Sequence, residues 1–169
     1  MMINNGFEPI FNENSKILIL GSFPGVVSRN ADFYYGNPRN RFWIVLAEIF
    51  SEEPPQTKEE KTNFILSHNL ALWDVLETCA INGSADSDIN LSNSTPIDLG
   101  KITNRAQIHQ IICNGKKSYE LFKKHFPTCE IKTTSLPSTS PANARCDKSK
   151  WIECFSDIAN PCAKLTRKS

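Results

Sequence analysis

Between residues 34 and 43 the chain reads Tyr34-Tyr35-Gly36-Asn37-Pro38-Arg39-Asn40-Arg41-Phe42-Trp43, which crowds rings, amides and guanidinium groups into one short stretch. Rings give a flat ligand a π-face to stack on, and an amide oxygen can orient a water molecule. Two further clusters lie on either side of it in sequence: Gly21-Ser22-Phe23-Pro24-Gly25 and Pro137-Ser138-Thr139-Ser140-Pro141-Ala142-Asn143. The first lacks the Gly-Lys-Ser/Thr ending of a triphosphate-binding loop, so nucleotide chemistry of that kind is not indicated. The second offers small donors and close backbone approach, which suits phosphate oxygens, although the same residues also make ordinary turns. His68, His109 and His125 are scattered without nucleophile or metal-ligand spacing, and no lysine is singled out by an apolar pattern suited to a Schiff base. Neither a metal nor a cofactor is expected.

The surrounding pattern predicts what must hold these clusters. Residues 16–20 (KILIL) form a short apolar run that stops at the GSFPG turn. Residues 40–50 place Phe42, Val45, Leu46, Ile49 and Phe50 at helical spacing. Residues 58–69 read as a second helix, 71–75 as a strand, and 82–96, rich in Asn, Ser, Asp and Gly, as a long loop. A strand over 108–113 ends at Asn114-Gly115 and is followed by a helix over 116–126, then by a more polar strand over 130–134 and a helix over 148–159. Strands alternating with helices imply an α/β fold with three α/β/α layers around a central, mainly parallel four-stranded sheet. Ligands sit at the carboxyl ends of the strands in such sheets, so the two strand-end loops, more than a hundred positions apart, should meet at one edge.

With 169 residues and 40% hydrophobic content, a single domain over residues 1–169 is expected to bury its own core. No apolar run is long enough to cross a membrane, and the first residues lack a signal-peptide layout, which predicts an intracellular, cytoplasmic protein. Six cysteines, Cys79, Cys113, Cys129, Cys146, Cys154 and Cys162, include no C-x-x-C pair, so reduced thiols are expected. The formal net charge of +1 hides an asymmetry: residues 45–100 carry 10 acidic and 2 basic side chains, a balance of −8, whereas residues 101–169 carry 13 basic and 5 acidic, a balance of +8. Basic residues of the second half could follow a phosphate backbone if they share a face, the alternative being solvated helix surfaces.

The order GSFPG, then YYGNPRNRFW, then LPSTSPANA resembles the uracil-DNA glycosylase superfamily, whose mismatch-specific members carry a G-x-x-P-G loop, an aromatic residue and an NRFW-like segment in that order. With ALWDVLETC, INGSADSDI and ICNG, the resemblance covers most of the chain and is greatest to the deoxyinosine (hypoxanthine) glycosylases. It implies a monofunctional enzyme that flips a deaminated base out of DNA and hydrolyses its glycosidic bond, as a monomer, with abasic-site repair enzymes acting downstream. Tyr35 then occupies the base-stacking position, Phe23 forms a further wall, and the backbone of Gly21, Ser22, Pro24 and Gly25 reads the base edge. Relatives use an Asn at the third position of the first loop. Here that position is Phe23, which leaves Asn37 as the favoured water-orienting group, Asn40 as the second choice because it could simply cap a helix, and Asp74 and Asp86 as outsiders. Pro137, Ser138, Thr139 and Ser140 would grip the DNA backbone, aided by Ser22 and Ser28. The stretch Ser140-Pro141-Ala142-Asn143, with Arg145 beyond, offers no Leu or Arg wedge at the usual place, which predicts a preference for easily opened sites. A uracil or G·T mismatch glycosylase, a base-flipping module without catalysis and a flavodoxin-like small-molecule binder are the alternatives.

Overall fold

The computed structural model describes residues 2–24, 30–81, 89–144 and 146–159. Gly25, Ser28, Asp86, Arg145 and Cys162 lie outside the described residues. The main sheet contains β2 (Ile17–Gly21), β3 (Leu70–Asp74), β6 (Gln110–Asn114) and β7 (Lys132–Leu136) in the order β3-β2-β6-β7, with every pairing parallel. A parallel sheet needs both faces covered, and three of the four strands comply: every residue of β3, all but Ile17 of β2 and all but Asn114 of β6 are buried. Only β7, at an edge, has the mixed exposure that its Lys-Thr-Thr-Ser composition predicts. Its position at 132–136, against the expected 130–134, follows from pairing Gln110 with Lys132 and Asn114 with Leu136.

Around the sheet lie α1 (Phe42–Ile49), α2 (Lys58–Ser67), the short α3 (Gly100–Thr103), α4 (Lys116–His125) and α5 (Lys148–Ala159). Helix α1 packs on α5, α2 on β3, and α4 on β6 and β7, which gives the three-layer α/β/α arrangement. Thr57 caps α2 by accepting the Glu60 N–H at 3.0 Å, while the Glu60 carboxylate takes the Gln56 N–H at 2.8 Å. The apolar stripe of α5 buries Trp151 and Phe155. Trp151 is fully buried, and its indole N–H donates to the Pro137 carbonyl at 2.8 Å, so α5 is fastened to the loop after β7. No helix among the described residues is long and apolar enough to cross a membrane, and no disulfide joins the described cysteines.

A second sheet, in the order β1-β4-β5, corrects the sequence reading. It contains β1 (Met2–Asn5), β4 (Leu76–Ile81) and β5 (Ile89–Pro96), all antiparallel. Residues 89–96 therefore form a strand where a loop over 82–96 is expected from composition. Polar side chains that would favour a turn are overridden because the backbone of β5 pairs with β4, with register shifts between Leu76 and Ala80 accommodating the irregular partner.

Replacing Trp151 with Ala removes a large buried ring and orphans the Pro137 carbonyl. Urea unfolding should show a loss of about 3–5 kcal/mol, and a loss below 1 kcal/mol would mean that this contact is not a fastener.

Candidate functional site

Strand β2 lies between β3 and β6, and the carboxyl ends of the strands are level: Gly21 pairs with Asp74, and Asn114 with Leu136. The chain leaving β2 stays bound to that following β3, since the Gly21 and Ser22 carbonyls accept N–H groups of Val75 and Leu76 at 2.8 and 3.1 Å. A Cβ on Gly21 would sit 2.4 Å from Asp74 Oδ1 and 3.0 Å from the Tyr35 hydroxyl, so the missing side chain leaves room for a carboxyl and a phenol over one strand end. Asp74 is only 5% exposed. From sequence it is an outsider, a lone acidic residue at a strand end. Its burial against a glycine and an aromatic makes it part of the same constellation, and the only sequence cue is the charge closing an otherwise apolar run, LALWD.

Tyr35 is half-buried, in a left-handed backbone conformation with φ 51°, and its ring stacks on Phe42 with centroids 4.0 Å apart and an interplanar angle of 25°. Phe42 meets Trp151 edge-on at 6.4 Å. Tyr34, by contrast, is buried: its hydroxyl donates to the Glu8 carbonyl at 2.6 Å and its own carbonyl accepts the Trp43 indole N–H at 3.2 Å. Burial raises the Tyr34 phenol well above its usual range, with Asp74, Tyr35 and Glu8 adding to the shift. Phe23 is 5% exposed and belongs to the hydrophobic core, 3.9 Å from a Cβ built on Gly6, and Pro24 is buried beside it in sequence. Ser22 is half-buried.

Both asparagines are held by their own backbone. Asn37 Oδ1 accepts the Arg39 N–H at 3.0 Å and the Asn37 carbonyl accepts the Asn40 N–H at 2.9 Å, a tight turn with Pro38 at its second position. Asn40 Oδ1 accepts the Phe42 N–H at 2.9 Å where α1 begins. An amide oxygen has two lone pairs, so each keeps one for a ligand while the other fixes its direction.

The loop after β7 is built on the end of β6. The Asn114 amide donates to Thr139 Oγ1 at 2.9 Å and accepts the Thr139 N–H at 3.0 Å, and Thr139 is fully buried. Gly115, at φ 99°, lies where a Cβ would come within 3.0 Å of Ser138 Cβ. Asn143 ties the loop to itself, its amide donating to the Ser138 carbonyl at 2.9 Å and its backbone N–H to the Ser140 carbonyl at 2.9 Å. Pro141 and Ala142 are exposed at the tip. Arg41 joins the two distant motifs: its backbone N–H donates to the Thr139 carbonyl at 3.1 Å and its guanidinium to the Asn143 carbonyl at 2.9 Å. Thus Tyr35, Asn40 and Ser138 to Asn143 belong to one connected edge, as their positions after the strands predict. A groove of about 430 Å³ lies elsewhere, lined by Lys132, Thr134, Lys150, Glu153 and Asp157 among others. None of the strand-end loop residues lines it, and its mixed charges suit solvent.

Comparison with known proteins bears on the family and the fold. A family model for the uracil DNA glycosylase superfamily matches residues 8–160. A hypoxanthine DNA glycosylase of Methanosarcina acetivorans is 35% identical over 159 residues, covering 91% of this chain and 99% of the relative. The hypoxanthine DNA glycosylase of Methanosarcina barkeri is 34% identical over 158 residues, with the same coverage of 91% and 99%. The solution NMR structure of a Methanosarcina acetivorans protein, described as a candidate uracil DNA glycosylase, superposes with a TM-score of 0.78 at 32% identity, covering 91% of this chain and 97% of that one.

Two outcomes are expected. Gly21→Ala forces a methyl against the Asp74 carboxyl and the Tyr35 hydroxyl and should cost about 1–3 kcal/mol in denaturant unfolding. A neutral result would place those groups farther from the strand end. The raised Tyr34 pKa means that the fold favours the neutral phenol. Its contribution to stability is complete below the phenol's ordinary value of 10.0 and is lost as pH rises beyond it. Stability measured from pH 8 to 11 should therefore fall more steeply above about pH 10 in the parent than in Tyr34→Phe, and parallel curves would contradict the assignment.

Proposed function

Because the chain belongs to the uracil DNA glycosylase superfamily, we propose that it releases hypoxanthine from deoxyinosine in DNA, the activity named for its Methanosarcina relatives. The observation that carries this reading is the meeting, at one sheet edge, of a stacked aromatic ring, backbone-fixed amides and a Ser/Thr donor loop, joined by Arg41 across 102 positions of sequence.

Each part has a task in base excision. The flipped base needs a π-face, for which Tyr35, braced from behind by Phe42, is suited. Gly21, Ser22, Phe23 and Pro24 follow the strand end beside it, and Gly25 completes the motif in sequence. The Asp74 carboxyl and the Tyr35 hydroxyl lie together over Gly21 at the end of β2. Cleavage breaks the bond between C1′ and the base nitrogen. The base leaves with the electron pair while the sugar takes on oxocarbenium character, and water adds its oxygen to C1′ as a proton passes to the departing base. Asn37, with Asn40 as the second choice, orients that water. An amide oxygen suffices because the leaving group removes most of the negative charge. Pro137, Ser138, Thr139 and Ser140 hold the backbone of the extruded nucleotide, and Pro141, Ala142 and Asn143 face the vacated stack. With the described tip carrying only small side chains, easily opened sites are the preferred targets. The enzyme works as a monomer inside the cell, its one chain supplying both halves of the site, and abasic-site repair enzymes take its product. A second reading, uracil excision, is favoured by the description of the solution structure it resembles.

An excision assay across deoxyinosine, deoxyuridine and deoxyxanthosine in single-stranded and duplex DNA tests this. Hypoxanthine release should be fastest, and faster from single strands or mismatches than from well-paired duplex. Asn37→Ala should lose on the order of 100-fold or more in turnover with DNA binding retained, and Tyr35→Ala about 10- to 100-fold. Base release from none of the three substrates would leave a binding module instead.

A further inference from the structure

The loop after β7 has an unusual polarity. The carbonyl oxygens of Pro137, Ser138, Thr139, Ser140 and Asn143 are each taken by an internal donor: the Trp151 indole, the Asn143 amide, the Arg41 N–H, the Asn143 N–H and the Arg41 guanidinium, respectively. The Ser138 and Ser140 hydroxyls accept the N–H groups of Ser140 and Ala142 at 3.2 Å each, and among the described residues neither donates to a protein acceptor. A hydroxyl that spends its lone pair on the protein has its proton to offer outward. The carbonyls of this loop are thus satisfied within the protein, while both serine hydroxyls keep a proton to donate.

Arg41 completes this pattern. Its guanidinium is half-buried and anchored by one N–H to Asn143, and no ion pair among the described residues involves it. A guanidinium has five N–H donors in a planar fork that matches a phosphate, and this one is held by Asn143, the residue whose amide and backbone N–H bind the Ser138 and Ser140 carbonyls. Helix α1, which starts at Phe42, has no acidic residue in its first turn to compete.

We propose that Arg41 clamps one phosphodiester of the extruded nucleotide, with the Ser138 and Ser140 hydroxyls on the same group. This deepens the glycosylase reading and rests on it. The Arg41 charge is then placed where the backbone must be pinched for the base to leave the stack. The contact that fixes the guanidinium also fixes the Asn143 carbonyl, so grip and loop shape depend on one side chain.

The test measures binding to DNA carrying one 2′-fluoro-deoxyinosine, which resists cleavage, with each flanking phosphate replaced in turn by a neutral methylphosphonate. The parent protein should lose about tenfold at one position, and Arg41→Gln should bind the all-phosphate DNA about tenfold more weakly with only a reduced further loss at that position, the part owed to the hydroxyls. The slope of log affinity against log salt should fall by about 1 in Arg41→Gln. Arg41→Lys, which keeps the charge, should retain the penalty at the same phosphate and serves where the Gln variant does not fold. A flat scan in the parent, or a full penalty at that phosphate in Arg41→Gln, overturns the clamp. If hypoxanthine release by the parent is intact when this happens, the clamp alone fails. If the parent releases no base from any deaminated substrate, the underlying reading fails and the clamp with it.

Discussion

The parallel pairing of β2 with β3 on one side and β6 on the other is the constraint from which the site follows. Parallel neighbours point their carboxyl ends the same way, so whatever the chain builds after Gly21, Asp74, Asn114 and Leu136 must emerge at one edge. The strands that impose this are almost wholly buried, Leu18, Ile19, Leu20, Leu70, Ala71, Leu72, Ile111 and Ile112 having no exposed surface. Hydrophobic burial thus sets the position of polar groups that contribute little to it. Helix packing refines the result, since Phe42 on α1 and Trp151 on α5 touch each other while one backs Tyr35 and the other bonds the Pro137 carbonyl.

Holding Tyr35 has a cost that its neighbours offset. A left-handed conformation in a non-glycine residue costs roughly 1–2 kcal/mol, and Tyr35 adopts it with φ 51°. A well-stacked aromatic pair returns about 0.5–1.5 kcal/mol beyond its buried area, and the Asn37 turn and the Asn40 contact at the start of α1 fix the chain that follows. Tyr35 thus keeps a costly backbone at the strand-end edge, whereas Tyr34 sits in the core with its hydroxyl donated to a carbonyl.

Much of this was legible in the amino-acid order. Apolar runs closed by Gly-Ser or Asn-Gly mark the strand ends, and the spacing of Trp151, Cys154, Phe155 and Ile158 marks α5, which spans 148–159 as its periodicity predicts. The small antiparallel sheet was not legible, because β5 reads Ile-Asn-Leu-Ser-Asn-Ser-Thr-Pro and earns its strand geometry from β4 rather than from its own residues. The placement of Asp74 and Arg41 is not visible in the sequence for a related reason: each is set by partners distant in sequence, Gly21 and Tyr35 for the first, Thr139 and Asn143 for the second. Periodicity shows which face a residue occupies, but it does not show which strand end will lie beside it.

The same geometry explains how a chain with a formal net charge of only +1 can handle a polyanion. Long-range attraction scales with the overall field and is screened beyond about 8–10 Å at ordinary salt, so a nearly neutral protein gains little from it. Short-range recognition depends on donor direction, and in the proposed clamp it is the Arg41 guanidinium with the Ser138 and Ser140 hydroxyls that would supply the donors at one phosphate. A grip made in this way acts only at contact distance, where the nucleotide is already being drawn from the stack. It therefore favours the extruded state over the paired one, as catalysis of base removal requires.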